Sequence, residues 1–234
     1  MTQGEFWGEI QLLSTEIEDA ITIFHTYEEI NRLTVEDAEI YRVLNEDALF
    51  WKCQRYCLQT SLFIILSRIF DRAKDARSIH KVIRAAVGHP EWFSKEALAT
   101  RKRTEGFPTD GLNQYLGTAW APSTPVEVRH LKKELAGHHG RIDDVYRPIR
   151  NKVFAHRLTS NDQDASELFG RTNRVEVGKI LDSLHDLIDA IQALYVNGTR
   201  PELGKRSYNE YNQRIRAGTE RILRKLAARS TNVA

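Results

Sequence analysis

Arg150-Asn151-Lys152-Val153-Phe154-Ala155-His156 gathers within seven residues the side chains needed to cleave a phosphodiester without a metal. Such cleavage of RNA needs a neighbouring hydroxyl deprotonated, the charge on the five-coordinate phosphorus stabilised and the leaving oxygen protonated. Histidine titrates near neutral pH, and arginine stays charged and offers a two-pronged donor. On a regular helix the six-residue step from Arg150 to His156 turns by about 240° and rises about 9 Å, so the two do not share a face. A site that uses both must bend the helix or combine two copies around a symmetry axis. Lys152, four residues before His156, can face the same cleft and attract RNA. Tyr146 and Arg147 border the segment as candidate substrate contacts. The same residues also have plain structural uses: Arg150 can pair with Asp143 or Asp144, and His156 can sit at a helix C-terminus, where a cation is favoured.

The segment lies at the end of an expected long helix. Thr124-Pro125-Val126-Glu127 reads as its start, with a capping threonine, proline at the first helical position and a glutamate placed for a capping box. Its apolar line is Val128, Leu131, Leu135, Ile142, Val145, Ile149 and Val153, interrupted by Gly137, Gly140 and Pro148. Because an internal proline removes a hydrogen bond and clashes with the preceding turn, a kink or restart is expected between Tyr146 and Pro148.

Three further long helices frame it. Ile10, Leu13, Ile17, Ile21, Phe24 and Ile30 recur at helical spacing from Phe6 to Leu33. Thr34, followed by Glu36 and Asp37, reads as the cap of a second helix whose line runs through Ile40, Leu44, Leu49, Cys53, Tyr56, Leu62, Ile65 and Ile69. Asn173 with Glu176 opens another, with Val177, Ile180, Leu181, Leu184, Leu187, Ile188, Ile191 and Leu194 on one face, and Asn197-Gly198 closes it. Between Asp71 and the third helix the sequence is charged and rich in turn signals, so residues 72–122 are expected to be short helices in a solvent-facing insertion. A basic amphipathic helix is expected from about Arg206 to Ala228. With no alternating strand pattern, the expected architecture is all-α: a bundle of four to five long helices over residues 1–199, with the insertion between the second and third, and a basic C-terminal helix over 200–234.

Composition narrows the function classes. Of 234 residues 41% are hydrophobic and 28% charged, ordinary fractions for a globular chain. The longest apolar run, Ser61 to Leu66, is far too short to span a bilayer, and the first residues lack a secretory pattern, so a cytoplasmic protein is expected with no membrane partner. Cys53 and Cys57, four apart on a helix, complete no zinc set and read as buried thiols. His138-His139 with Asp143 and Asp144 offers a possible metal-ligand pair, but Gly140 interrupts it and no further ligand is evident; no metal and no cofactor are expected. Charge is distributed unevenly: residues 1–50 carry 12 acidic and 2 basic side chains, residues 200–234 carry 9 basic and 3 acidic, and Arg68 to Glu105 holds 10 basic and 5 acidic. Such polarity suits a protein that meets a polyanion with one surface and another partner with a different one.

The string RNKVFAH resembles the signature of the HEPN superfamily of helical ribonucleases, an arginine, a polar residue and a histidine a few positions on, and in particular its abortive-infection, AbiU-like branch. The order of elements is similar too, from the helix ending in Leu66-Ser-Arg-Ile-Phe-Asp-Arg72 through the insertion and the signature helix to a closing helix, over roughly residues 8–197. The resemblance implies a metal-independent endoribonuclease that pairs as a homodimer with a shared cleft and acts in phage defence or a toxin–antitoxin system. It implies that Arg150 binds the scissile phosphate, that His156 is general acid or base, and that Asn151 orients the phosphate or the imidazole. RNA, a second copy of the chain, and an antitoxin or other protein are the implied partners. Toxins paired with small nucleotidyltransferases often carry tyrosine two positions after the histidine; this chain has Leu158, which argues against assuming such a partner. The rival reading keeps the cleft without turnover, as a non-catalytic helical dimer that binds RNA or protein.

Overall fold

The computed structural model describes residues 1–121, 130–151, 171–204 and 208–231. The apolar line of the first helix buries as its spacing requires: Ile10, Leu13, Ile17, Ile21, Phe24 and Ile30 are all core residues of α1 (Gln3–Glu36). The helix runs through the expected cap. Thr34 stays inside it, its hydroxyl donating to the Ile30 carbonyl at 2.6 Å, and Asp37 takes the capping role. With φ at −125°, Asp37 accepts from the amides of Glu39 and Ile40, each at 3.1 Å, and opens α2 (Ala38–Glu46). A carboxylate outcompetes the threonine because it satisfies two orphan amides while placing charge at the positive helix end.

The expected single second helix is two. The chain breaks at Asp47, where the short polar side chains of Asn45 and Asp47 compete with helical hydrogen bonding, and α3 (Ala48–Ile69) follows. Only the later part of α3 is buried consistently, at Leu62, Phe63, Leu66 and Ile69. Leu49 and Tyr56 are exposed, as are both thiols, so Cys53 and Cys57 are not the buried cysteines expected. This helix is apolar on nearly every side, and periodicity in such a segment does not tell which face points inward.

Residues 72–122 include α4 (Ile79–Gly88), a 3₁₀ turn at Pro90–Phe93, α5 (Lys95–Thr104) and α6 (Thr109–Thr118). They are short helices as expected, but not a solvent-facing addition. Ile79, Val82, Ile83, Phe93, Leu98 and Leu112 are buried, and of the charged residues that dominate the sequence most lie on the outer sides, Lys102 being buried. Then come α7 (His130–Ala136), a turn at His139–Arg141 and a π-helix at Ile142–Tyr146. The expected start at Thr124-Pro125 lies outside the described residues. Finally α8 (Arg174–Asn197) and α9 (Asn209–Thr231) complete the chain.

The all-helical class therefore holds, with no strand among the described residues. The helix number does not: among the described residues nine helices stand where four to five were expected, because Asp47 divides one helix and the insertion supplies several short ones. Among the described residues no helix is long and apolar enough to cross a membrane.

The chain forms two compact units. The first comprises Met1–Ile17, Arg68–Asp144 and Asn173–Arg206. Phe6 is its aromatic centre, packed against Trp92, Phe93 and Tyr195 with ring centroids 5.2, 5.8 and 5.5 Å away. Arg101 ties this core together: its guanidinium donates to the carbonyls of Trp92 at 2.9 Å and Tyr195 at 2.8 Å and lies 4.1 Å above the Tyr195 ring. The caps read from the sequence at both ends of α8 are present. Asn173 accepts from the Val175 amide at 2.9 Å, and Gly198 ends the helix at φ +62°.

The second unit comprises Glu18–Ser67, Val145–Thr172 and Ser207–Ala234. Leu223 and Ala227 of α9 bury against Ile30, Leu33, Ile40 and Leu44, and Arg224 pairs with the capping Asp37 at 2.9 Å.

Candidate functional site

Pro148 shapes the backbone ahead of the signature. It has no N–H to give the preceding turn, and its ring crowds the carbonyl of Asp144 four residues back. A π register widens the turn and relieves that crowding. The π-helix at Ile142–Tyr146 sits just ahead of the proline, and the same register returns at 149–151. The expected irregularity is present, and its form is a widened turn.

Arg150 and Asn151 lie in this second wide turn, both half-buried. The Arg150 Nε donates to the Asn151 Oδ1 at 2.8 Å. That bond engages one edge of the planar guanidinium, so the pair of terminal amines is the edge left to meet a phosphate in the two-pronged manner. Asn151 thus orients the arginine itself.

The remaining candidates divide. Tyr146 is completely buried, its ring stacked on Phe63 at 5.6 Å with 22° between planes; it offers no surface to a substrate and serves as packing. The apolar ring, larger than its hydroxyl, won the position. Arg147 is half-buried beside it. Lys152 and His156 lie outside the described residues.

Two neighbours fix the approach to this segment within the first unit. Asp143 pairs with Arg72 at 2.8 Å, and Arg141 with Glu176 at 2.6 Å. Asp71 makes a local contact, accepting from the Ala73 amide at 2.9 Å, and its successor Arg72 makes the link to Asp143. Sequence reasoning missed Arg72; its one signal was the adjacency to the Ser-Arg-Ile-Phe-Asp string.

The family model HEPN_AbiU2, described as AbiU2, matches residues 5–220. The chain belongs to this HEPN-type abortive-infection family. No curated protein and no solved structure matches it. The AbiU2 match takes in α1 through the first half of α9 and includes the whole signature, so the resemblance drawn from RNKVFAH holds at the level of the family.

The residues that offered a metal-ligand pair have other neighbours in this AbiU2 chain. His139 lies beside His80 with ring centroids 4.8 Å apart and the rings tilted by 49°, both near Phe70, and Asp143 is paired with Arg72. Among the described residues no three histidine, cysteine or carboxylate side chains form a metal cluster. Elsewhere, in the second unit, His25 is buried and accepts from the Arg216 guanidinium at 3.3 Å through Nδ1. Burial, and then the neighbouring cation, push this imidazole down from 6.5 to about 4, so it stays neutral at ordinary pH.

Proposed function

We propose that this AbiU2-family protein is a metal-independent endoribonuclease that works as a homodimer, in phage defence or as the toxin of a toxin–antitoxin pair. The observation that carries the proposal is the Arg150 guanidinium held by Asn151 in the wide turn just past Pro148. Family membership supports the same reading. A proton leaves the RNA 2′-hydroxyl, the 2′-oxygen attacks phosphorus, and the bond to the 5′-oxygen breaks as that oxygen takes up a proton. The products are a 2′,3′-cyclic phosphate and a 5′-hydroxyl. Arg150 holds the scissile phosphate and offsets the charge that builds on it. His156 exchanges a proton with the 2′- or the 5′-oxygen. Asn151 positions the guanidinium, and Lys152 and Arg147 add positive charge along the RNA path. Each guanidinium works with the imidazole of the partner copy, which removes the difficulty that a regular helix sets the two apart.

The test is cleavage of single-stranded RNA in EDTA. Wild type is expected to give cyclic-phosphate ends, and Arg150→Ala and His156→Ala each to lose at least about a hundredfold in rate, the scale of a lost proton-transfer or charge-stabilising group. Asn151→Ala is expected to lose roughly tenfold, about 1.4 kcal/mol, as a positioning residue should. Cleavage that survives both of the first two changes overturns the proposal. RNA binding without turnover in wild type returns the rival reading of a non-catalytic dimer.

A further inference from the structure

Helix α9 carries more positive charge than the fold uses. Arg224 is paired with Asp37 and Glu220, and Arg216 donates to His25. Arg214, Arg221, Lys225 and Arg229 are exposed and have no acidic partner among the described residues. At 100° per residue these four fall within an arc of about 80° along about 22 Å of helix. Leu223 and Ala227, which are buried, lie on the opposite side. The charges therefore form one continuous outward stripe.

Two details mark the stripe as a surface shaped for a ligand. Gly218 lies within the arc, and a Cβ built there would meet nothing within 4 Å. Glycine in a helix interior costs about 1 kcal/mol relative to alanine, and no packing here requires it. What it does provide is a flat place where a phosphate can approach the backbone between Arg214 and Arg221. Beside it, the Arg214 guanidinium lies 5.9 Å from the centre of the Tyr211 ring, an aromatic next to the stripe. Arg221, Lys225 and Arg229 lie beyond residue 220, where the family match ends.

We infer that the Arg214, Arg221, Lys225 and Arg229 stripe of α9 is a second binding surface for the phosphodiester backbone of single-stranded RNA. It would hold the strand outside the cleaving site, and in that respect it rests on the ribonuclease reading. Four phosphate contacts on a single strand give a slope of log K against log salt of about −2.8.

The experiment uses the full chain with His156→Ala, to prevent turnover, and a short fluorescent single-stranded RNA in EDTA between about 50 and 200 mM KCl. Arg221→Gln with Lys225→Gln is expected to make the slope shallower by about 1.4, so that the loss of affinity over that range becomes about sevenfold smaller. Gly218→Gln, which removes a helix-weakening glycine, is expected to weaken binding severalfold while raising the melting temperature. An unchanged slope in the double variant, with unchanged affinity in Gly218→Gln, overturns the inference. Binding of phosphatidylserine-containing vesicles by wild type with no affinity for RNA overturns it as well. Cleavage by the histidine-containing parent, measured in parallel, separates the two proposals: a parent that cuts RNA while the double variant keeps the full slope leaves the nuclease standing and removes only the stripe. A parent that binds through the stripe and never cuts does the reverse.

Discussion

Gly198→Ala is expected to lower the stability of the first unit by about 2–5 kcal/mol, the sum of two independent penalties. The first is conformational. Gly198 sits at φ +62°, where the Cβ of an L-residue crowds the following carbonyl at a cost of about 1–2 kcal/mol. The second is steric: the added carbon would lie 2.8 Å from Leu98 Cδ2 and 2.9 Å from Ala119 Cβ. Leu98 can rotate away, but Ala119 can yield only by moving backbone, and crowding of this kind costs about 1–3 kcal/mol. Gly198 cannot retreat either, because its amide donates to the Leu194 carbonyl at 2.9 Å and its carbonyl accepts from the Trp120 amide at 2.8 Å. Trp7, Trp92 and Trp120 lie in this unit, so tryptophan fluorescence during urea unfolding reports on it. With a slope of about 2–3 kcal/mol per molar urea, the midpoint should fall by roughly 1–2 M with the slope unchanged. Gly218→Ala is the control of opposite sign, since nothing crowds that position: up to about 1 kcal/mol of stabilisation is expected in the second unit. A Gly198→Ala midpoint within about 0.2 M of wild type refutes the reasoning, because both penalties would then have to vanish together.

Arg101→Met keeps the length of the side chain but strands the Trp92 and Tyr195 carbonyls; a loss of about 2–4 kcal/mol in the same urea assay is expected, with Arg101→Lys recovering only part of it, since one ammonium cannot reproduce a fork that spans two elements. His25 makes stability depend on pH. Its folded-state value, near 4, lies below the ordinary 6.5, so the unfolded chain binds the proton first, and the contribution present above about pH 6.5 is lost as pH falls toward 4. Melting temperatures between pH 7 and 4.5 should drop less steeply in His25→Gln than in wild type, and parallel curves would remove His25 as the cause.

The parts of the fold that local rules decide were legible in the residues. Asn173 and Gly198 bracket α8 because an amide-accepting side chain and a left-handed turn each need particular chemistry, and the string carries both. The buried line of α1 was legible for the same reason. Where two local signals compete, the outcome depends on partners far along the chain. Thr34 and Asp37 both qualify as caps, and Asp37 is also the residue that Arg224 meets from α9, a contact no spacing argument supplies. The inner faces of α4 to α6 were hidden behind their charged outer sides, and α3 offered apolar residues on too many sides to choose among.

At the candidate site the division is the same, and it says something about how the segment works. Pro148 announced a distortion from composition alone, since any residue without an N–H must disturb the turn before it. That the disturbance widens the helix rather than breaking it depends on Ile142, Val145, Tyr146 and Ile149 all being buried on either side of the proline, so that a helical path is retained while the register changes. Tyr146 looked like a substrate contact because an aromatic next to a cationic motif often is one; its stacking on Phe63 shows that it belongs to the packing that holds the wide turn. In a regular helix, neighbouring side chains such as Arg150 and Asn151 point about 100° apart. Here they meet at 2.8 Å, within the π register that follows Pro148.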